Sequence, residues 1–102
     1  RFIDLMKTFN RPIFCTEYLA RPFGSTFETV MPVLKKEKVA AYDFGLVKGA
    51  MQCHYEWNKV DADGNKIPFT EEPDLWFHDI LYPDGTPYNV SEVGFIKSIT
   101  KK

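Results

Sequence analysis

RPIFCTEYLARP, residues 11–22, is an apolar run bracketed by prolines with a carboxylate near its centre. Pro12 opens it and Pro22 closes it. Alternation with a period of two puts Ile13, Cys15 and Glu17 on one face and Phe14 and Thr16 on the other. Apolar residues on both faces predict a strand covered on both sides, as in a parallel sheet. An ionised carboxylate is costly to bury, so Glu17 requires either a partner or a reaction to perform.

On the N-terminal side, Phe2, Leu5, Met6 and Phe9 fall at helical spacing, so the chain is expected to open inside an amphipathic helix that Asn10-Arg11-Pro12 ends. On the C-terminal side, Gly24-Ser25-Thr26 supplies turn and capping residues. Phe27, Val30, Met31 and Leu34 then recur at i, i+3, i+4 and i+7, with lysines at the end where the helix dipole favours cations. Pro32 inside that pattern is expected to kink the helix or mark a later start. VAAYDFGLV, residues 39–47, is a second strand with apolar residues on both faces. Two strands separated by a helical segment predict a βαβ crossover and an α/β chain.

From Lys48 to Pro73 the periodicity fails, and unstructured stretches of that length are usually functional. DADGN, residues 61–65, predicts a turn inside a small hairpin whose arms are 51–57 and 66–69. Another turn is expected at Pro83-Asp84-Gly85. A last helix follows, with Ser91 as N-cap, Glu92 in the first turn and Val93, Ile96 and Ile99 on one face.

Composition narrows the function. A net charge of −1 gives no basis for binding nucleic acid or an anionic membrane surface. No apolar run approaches the roughly 20 residues of a membrane span, and RFIDLMKTF lacks the apolar core of a signal peptide. Cys15 and Cys53 form no framework and read as two unpaired thiols. Nine Phe, five Tyr and two Trp make 16% of the chain. Flat apolar rings beside polar groups suit a ligand with both characters, such as a sugar.

Two further motifs point to a metal or a thiol. Asp61, Asp63, Asn65 and Glu72 occupy positions 1, 3, 5 and 12 of an EF-hand loop, but Lys66 replaces its turn glycine and Pro68 interrupts it, so a solvated turn is expected. Cys15 with His54 would be a thiol nucleophile and base, but lacks a local signature. No metal or organic cofactor is expected.

Two parallel strands with their helices leave both sheet edges open, as in part of something larger. The blocks PIFCTEY, STFETVMPVLKK, VAAYDFGLVKGAMQCHYEW, EPDLWFHDI and DGTPY together resemble the C-terminal quarter of (β/α)₈-barrel glycoside hydrolases of the large retaining clan, cellulase-like enzymes with a TEY-type seventh strand. The resemblance implies that residues 1–102 are strands seven and eight of a partial barrel with their helices. It also implies that an N-terminal part lies elsewhere and that the 102 residues alone do not turn over substrate. It implies Glu17 as the nucleophile at the carboxyl end of the seventh strand. The family's acid/base Glu follows an Asn on the fourth strand, and no Asn-Glu pair occurs here. Retaining hydrolysis needs both carboxyl groups, roughly 5 Å apart, and barrel strand ends converge to hold them.

Phe44 stands where the family usually shows the Trp that floors the sugar subsite. Gln52, His54 and Trp57 are expected to line a subsite from the long loop, His78 to reach the rim, and Tyr18 and Arg21 to orient Glu17. The implied substrate is a polysaccharide or oligosaccharide with β-linkages, and the family suggests a secreted or periplasmic setting. Two further readings are a carbohydrate-binding remnant without chemistry, and a small α/β domain that completes its sheet by homo-oligomerisation.

Overall fold

The structure, a computed structural model, describes residues 2–69 and 71–101. It contains helix α1 (Phe2–Lys7), strand β1 (Phe14–Cys15), a 3₁₀ turn (Arg21–Phe23), helix α2 (Phe27–Lys36), strand β2 (Ala40–Ala41) and helix α3 (Val90–Thr100). β1 and β2 pair in parallel, with Phe14 opposite Ala40 and Cys15 opposite Ala41. The Ala40 N–H donates to the Ile13 carbonyl, and the Tyr42 N–H donates to that of Cys15.

The ladder is much shorter than the expected strands 13–17 and 39–47. Gly45, with φ +107°, takes the chain out of the extended path. Leu46 and Val47 then pair with residues 80–81: the Ile80 and Leu81 N–H groups both donate to the Leu46 carbonyl. What reads as one long strand is a two-residue strand followed by a bridge to a different segment.

α2 begins at Thr26, whose hydroxyl accepts from the Thr29 N–H while the Thr29 hydroxyl accepts from the Thr26 N–H. The helix runs through Pro32 to Lys36, so Pro32 does not mark a later start. Its buried residues Phe27 and Leu34 each contribute roughly 1.5–3 kcal/mol by leaving water. α3 is capped by Asn89, not Ser91: the Asn89 side-chain oxygen accepts from the Ser91 and Glu92 N–H groups. Asn caps as well as Ser, and here the helix starts two residues earlier. The expected hairpin is reduced to the DADGN turn and one antiparallel bridge, Val60 to Lys66. Residues 51–57 form turns and no arm.

The core is Leu19, Phe27, Leu34, Val39, Cys53 and Trp76. Both cysteines are free. Helix α2 packs against one face of the strand pair, with α3 beside it. On the other face Phe14 and Tyr42 lie 58% and 53% exposed, with their rings stacked 6.2 Å apart. The radius of gyration is 15.7 Å, against about 13 Å for a compact domain of about 100 residues. The two-sided cover expected of the strands is therefore absent among the described residues. No helix among them is long and apolar enough to cross a membrane.

Candidate functional site

Glu17 stands two residues beyond the end of β1, with its side chain 57% exposed. It is not a buried carboxylate. The alternation that placed it beside Cys15 stops where the ladder stops, and the chain lifts it into solvent. Leu19, 1% exposed, anchors the backbone immediately after it.

A second segment, Trp76 to Leu81, brings His78 alongside. The Phe77 N–H donates to the His54 carbonyl and the His78 N–H to the Cys53 carbonyl, both at 2.9 Å. His78 Nε2 thereby lies 3.6 Å from Glu17 Oε1. The Phe44 ring meets the His78 ring edge-on at 5.5 Å and the Trp57 ring edge-on at 6.2 Å. The Trp57 indole N–H donates to the Gln52 carbonyl at 3.1 Å, which fixes its tilt. Of the residues expected at a sugar site, Glu17, His78, Phe44 and Trp57 form one connected patch at the carboxyl end of the strand pair. Burial, the largest influence, holds the His78 pKa below the usual imidazole value, against the Leu19 carbonyl, Glu17 and Asp79.

The other expected residues are not brought to this patch. Arg21 is buried, and its Nε and Nη2 donate to the two Glu92 oxygens at 2.8 and 2.9 Å while Nη1 reaches the Trp76 carbonyl. The guanidinium also lies over the Tyr88 ring at 5.0 Å. It ties the end of the β1 loop to the first turn of α3 and is unavailable to orient Glu17. His54 is buried too, with Nδ1 3.4 Å from Asp79 and Nε2 3.6 Å from Glu72. That environment leaves it neither to a sugar nor to Cys15. Tyr18 packs edge-on against Phe27. Burial first, then Asp43 and Cys15, pushes its hydroxyl up to about 12, so it stays protonated. Gln52 sits at φ +54° and serves through its backbone carbonyl.

Sequence reasoning missed Asp43 and Asp79. Both Asp43 oxygens and Asp79 Oδ2 are buried without a hydrogen-bond partner. Asp43 is pushed up to about 7, chiefly by burial; the Phe44 N–H and Arg21 oppose the rise, while Asp79 and Glu92 add to it. The Phe44 N–H tempers the shift without the alignment of a full hydrogen bond. Gly45 permits this packing, because a Cβ there would meet Asp79 Oδ1 at 2.7 Å and the Cys53 Cβ at 2.9 Å. The available signal was an Asp inside the apolar run VAAYDFGLV, the same anomaly that singled out Glu17.

Asp61 Oδ1 accepts from the Asp63 and Asn65 N–H groups at 2.9 Å each, so one carboxylate oxygen is spent on holding the turn. Among the described residues no three His, Cys, Asp or Glu side chains are arranged to hold a metal ion. A cavity of about 490 Å³ lies over the long loop, lined by Tyr55, Phe69, Glu56, Lys59 and Glu71 among others. None of the four patch residues lines it. No protein-family model, no curated protein and no solved structure matches this chain.

Proposed function

We propose that these residues form the nucleophile side of a retaining β-glycoside hydrolase. The observation that carries the reading is the Glu17 patch: an exposed carboxylate past the end of a parallel strand, with a histidine beside it and the Phe44 and Trp57 rings within one contact chain. Rings offer an apolar platform to a sugar face, and the carboxylate offers an attacking oxygen. In the reaction a Glu17 oxygen bonds to the anomeric carbon as the glycosidic C–O bond breaks. The leaving oxygen takes a proton from a second carboxyl group, and water later hydrolyses the glycosyl ester. The second carboxyl group has no counterpart at a matching position of these 102 residues.

The test uses the natural polypeptide that carries these residues and a series of dinitrophenyl 2-deoxy-2-fluoro-β-glycosides, whose leaving group needs no proton. The expected result is a glycosyl mass gain on the peptide containing Glu17, absent in Glu17→Gln. Glu17→Ala leaves room for azide, so added azide is expected to restore turnover of an activated aryl glycoside and yield a product of inverted configuration. Labelling of another residue, or a Glu17→Gln variant with lowered melting temperature but near-normal kcat, refutes the assignment. Sugar binding without labelling favours a carbohydrate-binding remnant.

A further inference from the structure

Glu17 is exposed on a short loop, yet a nucleophile must present one oxygen in a fixed direction. Its one ion-pair neighbour among the described residues is His78. The His78 ring is held on all sides. Its backbone N–H is bonded to Cys53, and its faces and edges meet Phe77 at 4.4 Å and Phe44 at 5.5 Å. The groups with charge around it are Glu17, Asp79 and Arg21, and the Leu19 carbonyl also faces it. Nδ1 is buried and makes no hydrogen bond of good geometry, whereas Nε2 is the nitrogen turned to Glu17 Oε1.

We propose that His78 is a positioning residue for Glu17: its Nε2–H holds Oε1 and leaves Oε2 free to attack. This rests on the hydrolase reading above. The two nitrogens divide the work. In the neutral ring Nε2 carries the hydrogen toward the carboxylate and Nδ1 is a buried lone pair. Acidification adds a proton at the buried Nδ1. The resulting imidazolium binds the Glu17 carboxylate more tightly and makes it a poorer nucleophile. Burial favours the neutral ring, so the reactive arrangement prevails at neutral pH. The histidine therefore acts through the carboxylate and not on the sugar.

The first arm of the test needs no activity. The His78 ring titration is followed by NMR in the natural polypeptide and in its Glu17→Gln variant, with His78→Gln identifying the resonance. Loss of the facing negative charge is expected to shift the His78 titration to lower pH; an unmoved titration overturns the pairing. The second arm measures turnover of an aryl β-glycoside in the natural polypeptide. His78→Leu is expected to lower kcat about ten-fold with little change in KM, the loss of the 3.6 Å contact that orients Oε1. His78→Gln keeps a donor near the Nε2 position but does not titrate. It is expected to restore most of kcat and to remove the ring's inflection from the acid limb of the pH profile. Equal losses in the Leu and Gln variants, or an unchanged acid limb in the Gln variant, overturn the proposal. If the NMR coupling is present but the wild type turns over no glycoside, the hydrolase reading falls and the pair stands.

Discussion

Replacing Asp43 by asparagine is expected to stabilise this protein above neutral pH. The Asp43 oxygens are buried without a partner, and the carboxyl is raised from 3.8 to about 7. The folded chain therefore holds a proton that the unfolded chain has released at any pH between those values. Folding takes up a proton in that window, so this group's contribution favours the folded state on the acid side. Stability is lost as pH rises toward 7, and above it the loss is complete. A rise of about three units at 1.36 kcal/mol each is an upper bound near 4 kcal/mol. Asp43 as a whole is only part-buried, so water screens part of that, and about 2 kcal/mol is the working figure.

Urea unfolding of the wild type and Asp43→Asn from pH 4.5 to 8.5 gives the difference directly. The slope from His78 is common to both proteins and cancels. The two curves should run close together near pH 4.5 and separate in favour of the variant by about 2 kcal/mol at pH 8. A variant less stable than wild type at pH 8, or a separation that does not change with pH, refutes the reasoning. Either result means that Asp43 has a donor and is ionised in the fold.

Glu92→Ala leaves the Arg21 guanidinium buried and unpaired, and should cost about 3–5 kcal/mol, whereas Arg21→Met with Glu92→Leu should come close to wild type; urea midpoints of the three proteins decide it. The open strand edges and the exposed Phe14 and Tyr42 predict self-association at micromolar concentration. Sedimentation velocity tests this, and a monomer with one sharp unfolding transition counts against it.

The crossover was legible because its signals are local. The capping and helical spacing of 26–36, and strands of mixed apolar character before and after it, are enough to specify a parallel pair joined by a helix. The strand lengths were not legible. Residues 43–47 are as apolar as a strand, and only the positive φ at Gly45 and the competing pairing of Leu46 with residues 80–81 end the ladder at Ala41. For the same reason Arg21 was misplaced. Nothing in its neighbourhood announces Glu92, 71 positions away, as the partner that draws it inward. Phe44, Trp57 and His78 were singled out one by one as candidate site residues, but their mutual contacts depend on how a long loop folds, which period and propensity do not encode.

That misplacement bears on how an exposed carboxylate is held. Glu17 is tethered between two fixed points. Before it, the Cys15 carbonyl is locked by the Tyr42 N–H at 2.8 Å. After it, Leu19 is buried and Arg21 is clamped to Glu92. The Trp76 carbonyl that accepts from Arg21 Nη1 also begins the segment that carries His78. One buried guanidinium thus fixes both halves of the Glu17–His78 pair without touching either side chain. Arg21 therefore does not orient the Glu17 carboxylate as its place in the sequence suggested; it holds the backbone on either side of the pair. A side chain is held in place best when its supporting anchor is locked by packing and hydrogen bonds, and the four-residue interval from Glu17 to Arg21 joins an exposed carboxylate to such an anchor.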